Sequence, residues 1–223
     1  MSVQGALADG GCTVPGRRPA SHLLPRASIH IRPELQNQHW PILRQLSSGW
    51  ARLPWMDLYC MDGLTLVKAT AQDADVVFRL MQLYYFEASA WSGEEILADG
   101  LYDCALADVR ARLQEEPEWT RLLWLDGQLC GFVQVDEVEF QGRRLPELAD
   151  LFILPRHRGK GIASAVVAEL VRPTAGEWLL ATFRKDHVAH AFWERNLARM
   201  GMACSIPAGS EGTDFRLFLI RAI

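Results

Sequence analysis

Residues 148–173, LADLFILPRHRGKGIASAVVAELVRP, constrain the fold more than any other stretch of the 223-residue chain. The first seven are nearly all apolar and read as a strand lying centrally in a sheet. Pro155 ends it, and a basic loop punctuated by Gly159 and Gly161 follows. Ile162, Val166 and Leu170 then form one stripe, Ala163, Val167 and Val171 the next, and Pro173 closes a helix. In this arrangement the amides of residues 159–164 are the orphan donors of a helix N-terminus beside a strand. The two glycines lack a Cβ, so a ligand can approach the main chain closely. Arg158 and Lys160 add positive charge next to the helix dipole. The matching object is a phosphate or pyrophosphate, although on the loop alone an ordinary strand-to-helix turn with solvated cations fits equally well. The glycine spacing is neither the nucleoside-triphosphate loop GxxxxGK[ST] nor the dinucleotide fingerprint GxGxxG.

The elements around this segment alternate regularly from Met61 onward. LTLVKA (64–69) reads as a strand. Asp73 is the expected N-cap of a helix whose Val77, Leu80, Met81 and Tyr84 share a face. A glycine- and acid-rich loop leads to a second helix with Tyr102, Leu106, Val109 and Leu113 in period, stopped before Pro117. Two strand runs meet at Asp126-Gly127, a type I′ hairpin signal. After the glycine loop and its helix come a strand at 177–183 and a helix at 186–201, capped by Asp186 and stopped at Gly201. The chain closes with a strand, DFRLFLIRA. The order β-α-α-β-β-β-α-β-α-β predicts an α/β (α+β) domain with a mixed sheet and helices on both faces.

Residues 1–60 differ. They hold six of the eleven prolines and keep no helical or strand period, so they read as a poorly ordered extension, with a targeting segment or docking arm as alternatives. Met61 stands directly before the first well-patterned strand and is a candidate start of translation. Residues 1–60 carry a net charge of +3 and residues 61–223 one of −7, a poor balance for nucleic-acid binding. The five cysteines form no CxxC pair, which argues against a disulfide framework or a zinc site and for reduced thiols in a cytoplasmic setting. No apolar run reaches the roughly 18 residues of a membrane span, and no secretory signal opens the chain.

Arg158-Gly159-Lys160-Gly161-Ile162-Ala163, between strand and helix, resembles the Q/R-x-x-G-x-G/A signature of the GNAT superfamily of acetyl-CoA-dependent N-acetyltransferases. DHVAHAFWER resembles the family's N-x-x-A-x-x-F-Y block, with Asp186, Ala189, Phe192 and Trp193 in register. The resemblance spans roughly residues 62–221. It implies a mixed, mostly antiparallel sheet and acetyl-CoA as cosubstrate. It assigns the coenzyme A pyrophosphate to the amides of Arg158, Gly159, Lys160, Gly161, Ile162, Ala163 and Ser164. It assigns the pantetheine arm to the main chain of Phe152, Ile153 and Leu154, with Asp186, Phe192 and Trp193 completing the cofactor side. No metal is implied, and a homodimer is left open.

Acetyl transfer to an amine needs a base for the ammonium proton, a donor for the developing oxyanion and an acid for the leaving thiolate. Asp150 and Glu147 are the base candidates. The related pattern L-E-D-F-F-V would place acids at 149 and 150, where this chain has Ala149 and Asp150. By strand alternation Glu147 falls on the face of position 149. The family's usual tyrosine acid corresponds to Trp193, and an indole gives no proton to a thiolate. His187, His190, Tyr84, Tyr85 and Tyr102 are the substitutes to weigh. Tyr85, Glu87 and Trp91, with Glu94 and Glu95, fall where the acceptor would sit and suit a cationic amine. The expected function is N-acetyl transfer to a small-molecule amine within a ternary complex. The alternatives are a non-catalytic coenzyme A-binding protein, a protein N-acetyltransferase, and a nucleotide-binding protein of another class.

Overall fold

The computed structural model describes residues 61–174, 176–207 and 214–222. The predicted extension at 1–60, with Cys12 and Cys60, lies outside them. Seven strands form one sheet: β1 (Leu64–Lys68), β2 (Thr120–Leu125), β3 (Gln128–Phe140), β4 (Arg143–Ile153), β5 (Trp178–Phe183), β6 (Met202–Ser205) and β7 (Phe215–Ala222). Among the described residues four α-helices flank it: α1 (Ala74–Ser92), α2 (Leu106–Glu115), α3 (Ile162–Val171) and α4 (His187–Arg199). The strand order is β1-β2-β3-β4-β5-β7-β6, antiparallel throughout except between β4 and β5. This is the mixed, mostly antiparallel sheet expected.

The hydrophobic stripes decide which helix covers which face. Val77, Leu80, Met81 and Tyr85 of α1 and Val109 and Leu113 of α2 pack on Leu122, Phe132 and Phe152. Ile162, Val166, Val167 and Val171 of α3 and Trp193 and Leu197 of α4 pack on Val133, Leu148, Leu180 and Phe218 on the other side. A domain with both sheet faces covered buries enough apolar surface to hold its strands in one register.

Several elements depart from the sequence reading. β6 is an additional strand, four residues paired antiparallel with β7. The second helix begins at Leu106, not at Tyr102, whose main chain is instead held by Gln82 of α1. Asp73 stands at the N-cap of α1, yet its carboxylate accepts from the Thr70 amide and hydroxyl and closes a short 3₁₀ turn at Ala71–Asp73. The β2–β3 turn has positive φ at both Asp126 (51°) and Gly127 (73°), the type I′ form anticipated. Gln141 (51°) and Gly142 (73°) repeat it between β3 and β4, making a longer hairpin than the sequence suggested.

β4 carries a bulge that matters for everything downstream. Its pairing with β3 runs Glu147↔Asp136 and Leu148↔Val135, then resumes at Asp150↔Gln134, so Ala149 has no opposite residue. One extra residue inverts the alternation of faces. Leu148 therefore joins Leu151 and Ile153 in the cluster under α3, while Phe152 and Leu154 join the cluster under α1. The expectation that Glu147 shares a face with position 149 is corrected: across the bulge it shares one with Asp150.

Candidate active site

β4 and β5 run parallel and are paired at Glu147↔Leu179 and Leu148↔Leu180, and at no later position among the described residues. Beyond the bulge the two strands separate. The edge of β4 from Ala149 onward is thereby open toward β5, and a cavity of about 170 Å³ occupies the gap. Tyr84, Tyr85 and Trp91 of α1 close it on one side. Asp186, Ala189 and Trp193, at and beyond the start of α4, close it on the other. Asp150, Glu147 and Asp136 line it from the sheet, and Thr182 and Phe183 from β5.

Both proposed base carboxylates thus reach one cavity. Asp150 accepts a hydrogen bond from the Tyr84 phenol, whose pKa stands well above its ordinary value because of burial and the Asp150 charge. The phenol stays protonated and donates to the carboxylate. Glu147 lies opposite Asp136 in the β3–β4 ladder, and Asp136 is bonded to Arg112 of α2. Arg112 stands behind the wall, outside the lining.

The glycine loop sits at the far end of the opened strand. A 3₁₀ turn, Pro155–His157, leads into it, and Gly161 is the N-cap of α3 in the left-handed region (φ 87°), as is Gly159 (φ 74°). L-residues with a Cβ rarely hold that conformation, which explains both glycines. The Arg158 amide donates to Pro155 O and the Ala165 amide to Gly161 O. The six amides between them, 159–164, meet no acceptor in hydrogen-bonding geometry among the described residues. A Cβ built on Gly159 would meet nothing within 4 Å, so the approach is open. These amides, the helix N-terminus and Lys160 fit an anionic diphosphate.

The remaining predicted residues are distributed as follows. Phe152 packs under α1 and Ile153 under α3, and the Ile153 carbonyl accepts from Arg158 Nε at 2.7 Å. Leu154 follows them in the first cluster. Ile162 is buried in the core, Ala163 is half-buried, and the buried Ser164 hydroxyl reaches Asn196 Oδ1 at 3.4 Å. Asp186 caps α4 by accepting from the Ala189 amide at 2.9 Å. Phe192 and Trp193 stack edge to face, centroids 4.8 Å apart, with Trp193 reaching both core and cavity.

Tyr85 and Trp91 line the cavity, but Glu87 does not: both its carboxylate oxygens accept from the single Nη2 of Arg158. Glu94 and Glu95 also lie outside the lining, and burial pushes the Glu94 carboxyl upward. Of the substitute acids, Tyr84 and Tyr85 line the cavity; His187, His190 and Tyr102 do not, and the Tyr102 hydroxyl bonds to Ser89. His190 is pulled down by burial and by Arg216, so it is held neutral. Sequence reasoning missed Gln134, Asp136, Thr182 and Arg112, since nothing local links them to the motif. Gly131 was missed as well: a Cβ there would lie 2.0 Å from Phe152 O, so its hydrogen is what lets β3 and β4 approach behind the site.

A splayed β4–β5 pair, with a glycine loop and helix N-terminus at the end of β4, defines an acetyltransferase-type fold. The acetyltransferase (GNAT) family model matches residues 77–198, more than half of the chain, and the protein belongs to that family. No curated protein sequence matches it. Among solved structures, an acetyltransferase from Thermus thermophilus is similar at 20% identity, over 70% of this chain and 95% of its own, with a TM-score of 0.48. The diaminobutyrate acetyltransferase of Paenibacillus lautus, solved with L-2,4-diaminobutyric acid and coenzyme A, is similar at 13% identity over 71% and 94%, TM-score 0.47. A Salmonella typhimurium protein solved with acetyl-CoA is similar at 14% identity over 71% and 92%, TM-score 0.47. Membership rests on the family model. Among the described residues no helix is long and apolar enough to cross a membrane, and no group of three or more side chains is placed to hold a metal ion.

Proposed function

We propose that residues 61–223 form an N-acetyltransferase that moves the acetyl group of acetyl-CoA directly to a small-molecule amine, with both held in the β4–β5 cleft. The carrying observation is the single cavity that joins the Asp150 carboxylate to the unpaired edge of β4 leading to the glycine loop. When bound, acetyl-CoA supplies an activated thioester carbonyl. The amides of 159–164 with Lys160 would hold its diphosphate, and the main chain of Phe152–Leu154 its pantetheine arm.

The acceptor amine reaches the cavity as an ammonium ion. Asp150, or Glu147 one bulge away, takes its proton directly or through water, which frees the nitrogen lone pair for attack. The Tyr84 phenol donates a hydrogen bond to the Asp150 carboxylate and helps to hold it at the cavity wall. Main-chain N–H groups on the open edge of β4 are the available donors for developing negative charge on the carbonyl oxygen. The indole at 193 supplies no proton, so the thiolate departs with a proton from water or, less directly, from Tyr84 or Tyr85.

Trp193 also supports the second reading, a protein that binds coenzyme A without turnover. Two measurements test both. Stabilisation against heat by coenzyme A but not by ATP or NAD is expected. Thiol release from acetyl-CoA with a panel of amines is expected for the enzyme. Coenzyme A binding with no thiol release from any amine would leave only the second reading.

A further inference from the structure

We propose that Glu87 of α1 is a positioning residue for the cofactor: through Arg158 it holds the end of β4 and the glycine loop in the geometry that receives coenzyme A. The inference rests on the acetyl-transfer reading of the same cleft. Glu87 lies outside the cavity lining, and its two carboxylate oxygens accept from Arg158 Nη2 at 2.9 and 2.7 Å. The same arginine donates from Nε to the Ile153 carbonyl at 2.7 Å. Its guanidinium carbon lies 5.7 Å from the centroid of the buried Phe152 ring. Nη1 has no partner among the described residues.

The Ile153 carbonyl lies on the open edge of the strand. The Leu154 amide donates to Cys130 O of β3, so Leu154 and its alternate neighbours Phe152 and Asp150 turn their main-chain groups to β3. Leu151 and Ile153, between them, turn theirs to the side facing β5. Arg158 therefore occupies the last carbonyl of the open edge, where the segment assigned to the pantetheine arm passes into the diphosphate loop. A bond from Nε alone leaves the outer guanidinium of a long side chain free to turn. The Glu87 carboxylate, carried on a helix packed against Phe132 and Phe152, fixes the outer nitrogen as well. With Nε and Nη2 both committed, Nη1 is the remaining donor for an anionic oxygen of the cofactor. A bare carboxylate beside that anion would repel it, and pairing with Arg158 offsets the charge. Tyr84, Tyr85 and Trp91 of the same helix line the cavity, so this one contact also registers the acceptor wall against the cofactor loop.

The test is calorimetric titration of coenzyme A into the full chain and into Glu87→Ala, Glu87→Gln, Arg158→Ala and the double alanine variant. Glu87 stands on a partly exposed face of α1, and alanine and glutamine are good helix formers, so its variants should fold. We expect Glu87→Ala to weaken coenzyme A binding about threefold. Glu87→Gln keeps an oxygen for Nη2 and should recover most of that loss. In the Arg158→Ala background Glu87→Ala should change nothing further, because the residue acts only through the arginine. A residue acting by charge alone would give the opposite result: alanine and glutamine would remove the same repulsion and tighten coenzyme A equally. That outcome overturns the proposal, and so does a loss that persists in the Arg158→Ala background. Unchanged affinity in Glu87→Ala also overturns it, while leaving the acetyl-transfer reading standing. A parent chain that binds no coenzyme A overturns both.

Discussion

Arg158, the first residue of the glycine motif, holds Glu87 of α1 in a two-pronged grip: Nη2 donates to Oε1 at 2.9 Å and to Oε2 at 2.7 Å. Its Nε donates to the Ile153 carbonyl, and its guanidinium carbon lies 5.7 Å from the Phe152 ring centroid. One side chain thus ties the loop to both β4 and α1, and the arginine fixes where the motif's amides begin.

A double-mutant cycle on this pair should give a measurable but small coupling. Both side chains are partly exposed, 45% and 31%, so solvent screening holds the pair to about 0.5–1 kcal/mol. Urea unfolding of Glu87→Ala, Arg158→Ala and the double variant would measure it. Additive effects of the two substitutions would show that the contact contributes nothing. Arg158→Ala is also expected to weaken coenzyme A binding by more than Glu87→Ala does, because it alone removes a cation from the loop.

Gly131→Ala should be among the most damaging single-methyl substitutions in the chain. The added carbon would meet Phe152 O at 2.0 Å and Phe152 C at 3.0 Å, both main-chain atoms of the neighbouring strand. Neither can swing aside, so β3 and β4 must part where Phe132 and Phe152 pack. A loss of about 3 kcal/mol or more is expected, with coenzyme A affinity falling alongside it, since Phe152 begins the segment assigned to the pantetheine arm. Chemical denaturation that puts the variant within about 1 kcal/mol of the parent would contradict the close approach.

How much of this could be read beforehand depends on the range of the force involved. The glycine loop and the Asp126-Gly127 hairpin were legible because positive φ leaves a local residue signature. The stripes of α1 and α3 were legible because burial on one face imposes a period. β6 was not, since Met202–Ser205 is too short to show alternation and exists by pairing with β7. Nor was the bulge at Ala149, which arises from the register of β3 against β4 and carries no marker in LADLF. That one residue moved Glu147 onto the side of Asp150, and with it changed the charge of the cavity. Glu87 went astray for the same kind of reason: its partner lies 71 residues away in the chain.

Tyr84→Phe separates positioning from structure at the base. The substitution keeps the ring, which packs against Tyr85, Phe132 and Phe152, and removes only the hydroxyl that bonds Asp150. Stability should change by about 1 kcal/mol or less. A donor to a carboxylate favours its charged form, so its loss should move the acid limb of kcat/KM to higher pH and lower its plateau. Asp150→Asn should lower kcat/KM by about a hundredfold or more if Asp150 is the base. An unchanged pH profile in Tyr84→Phe, with activity intact in Asp150→Asn, would transfer the role to Glu147.

The loop itself should be sensitive to acid before any catalytic group is considered. His157, directly ahead of Arg158, is 4% exposed, and its Nδ1 has no partner among the described residues. Burial, then Lys160 and Arg156, pull its pKa below the ordinary 6.5. The folded protein therefore prefers the neutral ring, and the unfolded chain binds more protons below that value. Stability rises with pH wherever the unfolded state holds more protons, so this contribution is present above pH 6.5 and is lost as pH falls toward the depressed folded value. His190 is shifted the same way and adds to the slope. Replacing His157 with Phe removes the titrating group while keeping a ring, and should flatten the fall in unfolding free energy between about pH 6.5 and 5 without abolishing it. Parallel urea titrations at the two pH values give the comparison. A variant that loses as much stability on acidification as the parent would mean that His157 takes up its proton without strain, and that the loop tolerates a further cation beside Arg156, Arg158 and Lys160.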